Sequence, residues 1–261
     1  MASSPTPAPL VSISIVSHNQ TRLVNNLLAD IDRCCGPEIE VLLTINVQDE
    51  KPIDPERYSH NIRLFGNKTP KGFGANHNAA LKLAKGEYYC VLNPDIRFID
   101  NPLPELMACL ADPAVGIVAP LITNPSGSIE DTARRFPTPL SIATRALSGK
   151  RPIEYGTDNK ICSPDWVGGM FMLIPAAVFR KIGGFDERYF LYYEDVDLCA
   201  RMRLAGYDIR LCPNAKVIHE ARRQSHRDLR YFRWHLASIL RYFFSKPFIM
   251  MMCSRLMGGK R

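Results

Sequence analysis

The chain has 261 residues, of which 46% are hydrophobic, enough to bury the core of one α/β domain with a small appendage. Its formal net charge of +7 is a local feature rather than that of a nucleic-acid-binding protein, because six arginines fall in one short window: Arg222, Arg223, Arg227, Arg230, Arg233 and Arg241. The eight cysteines lack the spacing of a zinc knuckle or redox motif, which favours buried, reduced thiols.

Neither end of the chain resembles a membrane segment. Residues 1–9 are rich in Pro, Ser and Ala without the basic start and apolar run of a signal peptide, so we predict a disordered tail. The most apolar late stretch, 236–253, is interrupted by Arg241, Lys246 and Pro247, whereas a span needs about 20 mostly apolar residues. We therefore expect a chain that does not cross a bilayer.

Strand and helix patterns alternate through the first half. Apolar runs predict strands at 10–16, 39–47, 62–65 and 88–92, and helical spacing predicts helices at 23–31 and 75–85, the second with Gly86 as its C-cap. The runs at 41–43 and 90–92 are continuous, which is typical of strands covered on both faces. The fold class is α/β, with a mostly parallel sheet flanked by helices.

In such sheets ligands bind beyond the carboxyl ends of the strands. The segments that end strands here are Ser17 to Asn19, Asn46, and Asn93 to Asp95, and we expect them to line one crevice. Residues 124–165, rich in Pro, Gly and Ser, predict a long excursion that contributes to an acceptor site. Order returns with a strand at 167–174, helices at 175–180 and 195–205, and short strands at 209–211 and 216–219.

Three carboxylates, Glu194, Asp195 and Asp197, follow an aromatic run at the start of the predicted helix. Together with Asp95, which ends an apolar strand, they suggest two acidic tasks, holding a metal and accepting a proton, and hence an enzyme. The structural alternative is also plain. Acidic residues at a helix N-terminus favour the helix dipole, and Asp197 with Arg201 has the spacing of an ordinary ion pair, the role we assign to Asp197.

Six segments, in order and spacing, resemble family 2 glycosyltransferases with the GT-A fold, and within that family bacterial rhamnosyltransferases of O-antigen and related surface glycans. They are Ser17-His18-Asn19, the block 67–78, Asn93-Pro94-Asp95, the block 183–187, the block 194–198, and His219. The resemblance covers about residues 10–220. It implies a donor half at about 10–123, an acceptor half at about 124–220, and a separate C-terminal segment at 221–261.

The resemblance implies transfer of a sugar from a nucleotide diphosphate donor to a hydroxyl, with inversion. Asp195 would be the base and Glu194 would orient the acceptor. Asp95 and His219 would hold Mg²⁺ or Mn²⁺, an oxygen and nitrogen pair that suits either ion. Asn93 replaces the first acid of the usual Asp-x-Asp, so we expect the metal to be held loosely until the donor arrives. The alternative is that Asp95 caps a turn and His219 is a satisfied histidine at a sheet edge.

The resemblance also assigns binding residues. For the donor these are Ser17, Asn19, Asn46, Gly72, Gly74, Asn78 and Asn93, with the two glycines letting backbone approach the ligand at a helix N-terminus. Ile45 stands where many relatives have the acid that reads the nucleobase, so Asn46 or Asp49 substitutes, or stacking holds the base, and thymidine, uridine and guanosine stay open. For the acceptor they are Trp166, Gly168 and Gly169, where Trp166 stacks on a sugar or belongs to the core.

The C-terminal segment, 221–261, predicts a basic amphipathic helix. One side carries Leu229, Phe232, Leu236, Ile239, Leu240 and Phe243, and the other Arg230, Arg233 and Arg241. Such a helix packs on the domain or a partner, or lies on an anionic membrane, as Arg255, Lys260 and Arg261 also favour. Because acceptors in this family are often lipid-linked, we expect a cytoplasmic protein, peripheral on the cytoplasmic face of the bacterial inner membrane.

Two other functions stay open at this point. A non-catalytic sugar-nucleotide-binding or membrane scaffold protein is made conceivable by Asn93 and Ile45. A nucleotidyltransferase would share the sheet and the metal. However, it should have a Gly-rich basic signature after the first strand, where this chain has Ser17-His18-Asn19-Gln20.

Overall fold

A computed structural model describes residues 8–49, 51–149, 153–155, 158–220 and 229–256. Of the predicted tail, residues 1–7 lie outside the described residues, as do Arg222, Arg223, Arg227, Lys260 and Arg261 of the basic segment. The strands are β1 (Val11–His18), β2 (Ile39–Val47), β3 (Asn61–Gly66), β4 (Tyr88–Leu92), β5 (Ile96–Phe98), β6 (Val115–Thr123), β7 (Ala133–Arg134), β8 (Trp166–Val167), β9 (Phe171–Pro175) and β10 (Asp208–His219). The helices are α1 (Thr21–Cys34), α2 (Phe73–Leu81), α3 (Leu103–Cys109), α4 (Pro139–Ser148), α5 (Ala176–Ile182), α6 (Glu194–Leu204), α7 (Leu229–Phe243) and α8 (Lys246–Leu256).

The centre of the fold is an eight-stranded sheet in the order β3-β2-β1-β4-β9-β6-β10-β5. Only β9 and β5 run antiparallel to their neighbours, so the prediction of a mostly parallel sheet is confirmed. Strands β7 and β8 form a separate two-stranded ribbon. The carboxyl ends of β1, β2, β4, β6 and β10 therefore meet at one edge of the sheet.

The sheet is covered on both faces, as its continuous apolar runs predict. In β2, Val41 and Leu43 pack into the hydrophobic cluster that includes α1 and α3, whereas Leu42 packs into the cluster with α2, α5 and α6. All three side chains are buried. In a sheet covered in this way, ligands bind at the edge formed by the strand ends.

Several predicted boundaries in the second half were wrong. The strand at 167–174 is broken after Val167, so that Gly168 and Gly169 lie between β8 and β9. The two short strands at 209–219 are one strand, β10, whose register against β6 shifts between Cys212 and Lys216. Within the excursion at 124–165 the structure has β7 and α4, and α4 begins with a capping box formed by Thr138 and Ser141.

Gly86 is not the C-cap of α2, which begins at Phe73 and ends at Leu81. Its amide donates a hydrogen bond to the Ser12 hydroxyl oxygen at 2.8 Å. A Cβ at Gly86 would come within 2.5 Å of the Ser12 backbone nitrogen. The glycine is therefore explained by the close approach of this turn to β1.

The expectation of reduced cysteines is only partly met. Cys90 and Cys199 are buried and free. Cys109 at the end of α3 and Cys212 in β10 are instead paired as a disulfide, with Cα atoms 7.0 Å apart. The prediction missed this pair because 103 residues separate its members in sequence, and only the packing of α3 on β10 brings them together.

The last two helices that the structure describes, α7 and α8, are bent by 50° relative to each other. No single helix within the described ranges is long and apolar enough to cross a membrane, although Leu229–Phe243 and Lys246–Ser254 pass that test of length and composition as a bent pair. The inner face of α7 packs on the domain, where Ser238 and Tyr242 are buried.

Candidate active site

A cleft of about 570 Å³ lies at the edge formed by the carboxyl ends of the strands. One wall is the sheet edge and is mostly polar, with Asn19, Asn46, Lys71, Asn93 and Asp95 among its residues. The facing residues are apolar or aromatic and come from the second half of the chain: Phe190, Leu191, Tyr231 and Trp234. The segments predicted to line one crevice thus do so, except for Ser17.

Asp95 and His219 lie together, although they are more than a hundred residues apart in sequence. Residues after β4 and at the end of β10 meet because β5 pairs with β10 and returns the chain along it. His219 Nε2 is 3.2 Å from Asp95 Oδ2, and its Nδ1 is 2.6 Å from Glu130 Oε2. Glu130 arrives there because the chain turns back after β6, so that the Glu130 amide donates to the Ile122 carbonyl at 2.8 Å.

The surroundings of His219 act on its charge. Burial lowers its pKa, but hydrogen bonds to Asp95 and Glu130 and their negative charges outweigh burial and raise the pKa to about 9. Without a metal, the ring is therefore a cation between two carboxylates. Metal ligation needs the neutral ring, so a bound cation must displace this proton.

The residues present fit a divalent cation. Asp95 Oδ1 is buried and has no hydrogen-bond partner among the residues that the structure describes. Glu130 contacts the second ring nitrogen of His219, and a carboxylate in this position orients the histidine ligands of metals. No group of three His, Cys, Asp or Glu with metal-binding geometry occurs in the described part of the chain. The protein thus offers two ligands, and Mg²⁺ and similar ions are commonly held by so few when phosphate oxygens complete the shell.

The second acidic group sits at the start of α6. The two residues before it, Tyr192 and Tyr193, have φ of 70° and 67°, a left-handed conformation that is unusual for residues other than glycine. This turn delivers Asp195 to the edge of the sheet. Its Oδ2 accepts a hydrogen bond from the Gly169 amide at 3.0 Å and its Oδ1 one from the Val196 amide at 2.8 Å.

Glu194 and Asp195 have different surroundings. Glu194 is 5% exposed, and its Oε2 has no hydrogen-bond partner within the described ranges. Burial, and then the charge of Asp195, raise the pKa of Glu194 well above its ordinary value. Burial also raises the pKa of Asp195, but hydrogen bonds from the Gly169 and Val196 amides oppose it. Asp195 is therefore the better placed of the two to carry a negative charge.

The two acidic groups lie at the same edge of the sheet and are joined through the start of β9. Asp195 accepts the Gly169 amide, and the carbonyl of the next residue, Met170, accepts the Asn93 amide at 2.9 Å. Asp95 follows two residues later. Asp197 is turned away from this edge and pairs with Arg201 at 2.8 Å, the ion pair predicted for it.

Two predicted donor residues, Asn46 and Ser17, have other surroundings than expected. The side-chain amide of Asn46 faces the cleft but is used by the protein: it donates to the Lys71 carbonyl at 2.9 Å and accepts from the Lys71 amide at 2.8 Å. Asn46 therefore fixes the loop that carries Lys71. Ser17 lines a neighbouring cavity of about 200 Å³ instead of the cleft, together with Thr21, Ile45 and Asp49.

Contacts within the chain account for Gly72, Gly74 and Asn78, and their role as donor contacts stays a prediction. A Cβ at Gly72 would be 2.7 Å from the Phe190 carbonyl oxygen, and one at Gly74 would be 2.5 Å from Phe185 Cβ. The first amide of α2, that of Phe73, donates to Phe190 at 2.9 Å instead of to an anion. Both ends of the Asn78 amide bind the backbone of Phe185, at 2.8 Å each.

The predicted acceptor residues are also placed differently. The indole nitrogen of Trp166 donates to the Arg135 carbonyl at 3.0 Å. Trp166, like Asp195 and His219, is not among the residues that line the cleft, and its contact with the acceptor stays a prediction. The Gly168 amide donates to the Thr132 carbonyl at 2.7 Å. The Gly169 amide donates to Asp195, as described, and a Cβ at Gly169 would be 3.3 Å from the ring of Phe73.

Sequence reasoning missed several residues of the cleft. Lys71 and Phe73 lie inside a motif that had been noted, but only the glycines and Asn78 were chosen from it. Glu130 had no local signal. Tyr231 and Trp234 could have been found, because with Ser238 and Tyr242 they repeat at helical spacing on the side of α7 opposite its leucines.

Comparisons with known proteins agree with this geometry. The family model described as "Glycosyltransferase like family 2" matches residues 7–237. Rhamnosyltransferase WbbL of Escherichia coli is 31% identical over 252 residues, which cover 89% of this chain and 92% of WbbL. An N-acetylglucosaminyl-diphospho-decaprenol L-rhamnosyltransferase of Mycobacterium tuberculosis is 27% identical, with 84% and 78% covered.

Solved structures share the fold. GalNAc-T7 with UDP, GalNAc and Mn²⁺ has a TM-score of 0.65 at 15% identity, covering 83% of this chain and 45% of that one. The mannosyltransferase PcManGT of Pyrobaculum calidifontis with GDP-Man and Mn²⁺ has a TM-score of 0.59 at 19% identity, covering 92% and 66%. This chain thus spans about half to two thirds of their lengths, and the predicted GT-A architecture is confirmed.

Proposed function

This chain belongs to glycosyltransferase family 2, and on that premise we propose that it transfers rhamnose from a nucleotide diphosphate donor to a hydroxyl of a lipid-linked surface-glycan precursor, with inversion at the anomeric carbon. The observation that carries the proposal is the Asp195 carboxylate, held by the Gly169 amide at the sheet edge that also bears Asp95. Rhamnose is favoured over other sugars by the two relatives described above, which are rhamnosyltransferases.

In the proposed mechanism Asp195 takes the proton of the acceptor hydroxyl. Its raised pKa makes it a stronger base than an ordinary aspartate, and the two amides that hold it fix the direction of its oxygens. The hydroxyl oxygen then attacks the anomeric carbon from the face opposite the leaving nucleoside diphosphate. Glu194, whose pKa is raised well above its ordinary value by burial, stays protonated next to Asp195, and its role in orienting the acceptor stays a prediction.

The departing diphosphate is proposed to lie against the polar wall of the cleft. Asp95 and His219 would hold Mg²⁺ or Mn²⁺, which neutralises charge on the leaving phosphates when it is bound. Lys71, kept in place by Asn46, would supply a second positive charge, and Asn19 and Asn93 would donate or accept hydrogen bonds there. The nucleobase is proposed to enter the cavity beside Ser17 and Ile45, with Asp49 as the residue that replaces the missing acid.

Contact with a membrane is proposed through the outer face of α7. Its apolar side chains are exposed: Leu229 by 80%, Phe232 by 65%, Leu236 by 47% and Leu240 by 51%. Arg233 and Arg241 are exposed on the same helix, which suits the anionic cytoplasmic leaflet of a bacterial inner membrane. A protein docked in this way would have its cleft, which α7 also lines, near a lipid-linked acceptor.

The test is transfer to N-acetylglucosaminyl diphosphate that carries a short alkyl chain, from rhamnose donors of thymidine, uridine and guanosine diphosphate. We expect one donor to be used, with product detected by mass spectrometry and the inverted anomer by the C–H coupling in its NMR spectrum. Asp195→Asn should lower kcat by more than a thousandfold and leave donor affinity unchanged by calorimetry. The control is Asp112→Asn, an exposed aspartate paired with Arg210 away from the site.

Each outcome separates the alternatives. Transfer by Asp195→Asn near the rate of the unaltered protein would remove Asp195 as the base. If the protein binds the donor but neither transfers the sugar nor hydrolyses the donor, the non-catalytic sugar-nucleotide-binding alternative is favoured. Asn93 and Ile45 are the residues that suggest this alternative. A nucleotidyltransferase would instead release diphosphate from a nucleoside triphosphate and a sugar phosphate.

A further inference from the structure

The aromatic wall of the cleft is formed by residues that the sequence motifs do not include. Phe190 and Trp234 have ring centroids 4.6 Å apart with planes tilted by 35°, and Tyr231 packs edge-on against Trp234 at 5.2 Å. All three rings line the cleft that contains Asp95. Trp234 is only partly buried, so part of the largest ring in this wall is open to a ligand.

The position of Trp234 is tied to that of the base. The hydroxyl of Ser238, one turn further along α7, donates to the Leu191 carbonyl at 2.8 Å. His235 packs edge-on against Tyr192 and Tyr193, the two residues whose left-handed turn starts α6. The short segment 190–195 therefore contacts Trp234 through Phe190 at one end and carries Asp195 at the other.

The chemistry of the two walls differs. Asp95, Lys71 and the asparagines on the sheet edge suit a cation, phosphates and hydroxyls. An indole face is apolar and broad, and it binds the face of a sugar ring that carries C–H groups. A ring stacked on Trp234 would lie beside the segment that presents Asp195, which is where the hydroxyl to be deprotonated must be.

We propose that Trp234, buttressed by Phe190 and Tyr231, is the platform on which the sugar ring of the acceptor stacks. The proposal rests on the proposed glycosyl transfer and gives the acceptor subsite to a residue of α7. It takes the role that Trp166 had in the sequence analysis. One helix then has two tasks, because its inner face receives the acceptor sugar and its outer face the lipid surface.

The first experiment uses the two tryptophans of the chain. In the Trp166→Phe protein, Trp234 is the sole fluorescent indole. We expect its emission to change saturably when N-acetylglucosaminyl diphosphate with a short alkyl chain is added to nucleotide-loaded protein. The Trp234→Phe protein, which keeps Trp166, should not respond. Equal responses in the two proteins, or none in the first, would overturn the proposal.

The second experiment is kinetic. Loss of a stacked aromatic contact costs roughly a factor of ten, so Trp234→Ala should raise the KM for the acceptor about tenfold and leave the KM for the donor within twofold. Trp234→Phe should show a smaller rise in the same constant. The control is Ala237→Ser, a change at an exposed position of the same helix.

Failure of this inference and failure of the proposed function are distinguishable. If the unaltered protein transfers sugar and Trp234→Ala keeps its acceptor KM, the platform is wrong and the function stands. If no donor supports transfer, the function fails, and the fluorescence titration alone decides whether Trp234 binds the acceptor. If Trp234→Ala does not fold, as judged by its thermal transition, Trp234→Phe and the fluorescence titration decide.

Discussion

Two neighbouring carboxyl groups at the start of α6 are given different tasks by their surroundings. Asp195 accepts two backbone amides, whereas Glu194 is nearly fully buried and one of its oxygens has no partner in the part of the chain that is described. A buried carboxyl without donors keeps its proton, and one with donors loses it more readily. The two carboxyl groups therefore differ in how readily they lose a proton, and Asp195 loses its proton more readily than Glu194.

Glu194→Gln is expected to stabilise the protein at neutral and higher pH. The pKa of Glu194 is raised in the folded state, so the folded protein holds this proton more tightly than the unfolded chain. Its stabilising effect is present below the ordinary glutamate pKa and is lost as pH rises through the folded value. Thermal melts across pH should show the variant and the unaltered protein coinciding in acid and diverging above it, with the variant higher.

The opposite order of melting temperatures at high pH would contradict the raised pKa of Glu194. Glu105→Gln, a change at an exposed glutamate of α3, is the control for the loss of one surface carboxyl group.

At the scale of elements, the glycines and asparagines around α2 hold secondary structures together. Asn78 closes α2 onto the loop after α5 through both ends of its amide, and Gly74 lets Phe185 approach. The same residues had been interpreted as donor contacts. We propose that their effect on catalysis is indirect, because the loop that they fix leads into the turn at Tyr192 and Tyr193.

Asn78→Ala should therefore reduce stability and leave donor binding intact. It leaves the buried amide and carbonyl of Phe185 without partners, which typically costs about 1–3 kcal/mol for each group. Urea denaturation measures the loss, and calorimetric titration with nucleoside diphosphate measures affinity. A large loss of affinity with unchanged stability would restore Asn78 to the donor site.

Helix α7 has an aromatic inner face and an outer face formed by three leucines and Phe232. The double change Leu236→Ser and Leu240→Ser should release the protein from anionic vesicles, since two buried leucines contribute about 3 kcal/mol, roughly a hundredfold in affinity. Sedimentation with phosphatidylglycerol vesicles measures this, and transfer to the soluble acceptor probe should be kept. Leu147→Ser, at an exposed position of α4, is the control, and equal loss from both proteins would exclude docking through α7.

At the scale of the whole molecule, the proposed metal site draws on three separate parts of the chain. Asp95 follows β4, Glu130 lies in the return after β6, and His219 ends β10. With two direct ligands, we expect Mn²⁺ to bind at least tenfold more tightly when nucleoside diphosphate is present, as measured by electron paramagnetic resonance. Chelation with EDTA should abolish transfer and added Mn²⁺ restore it. Equal affinity with and without nucleotide would show that the phosphates are not ligands.

The sequence predicts the sheet and its binding edge because continuous apolar runs end at polar residues, and parallel strands bring those ends together. Asn93 and Asp95 follow from this pattern, whereas His219 follows only from the resemblance to the family. Glu130, Trp234 and the Cys109–Cys212 pair were not found, because each depends on contacts between distant segments. Gly72 and Asn78 show a different limit, since a motif fixes which residue is needed but not whether a ligand or the chain itself requires it.

The hydrogen bond from the Ser238 hydroxyl to the Leu191 carbonyl has a practical consequence for truncation of the protein, for example to help it crystallise. Each left-handed tyrosine stores about 1–3 kcal/mol of strain, and the rings of α7 press on both. A protein truncated after β10 would lack the contacts of α7 with Tyr192 and Tyr193. We expect the left-handed turn to relax and the Asp195 carboxylate to move with it. We expect such a fragment to keep its folded sheet and to lose transfer activity.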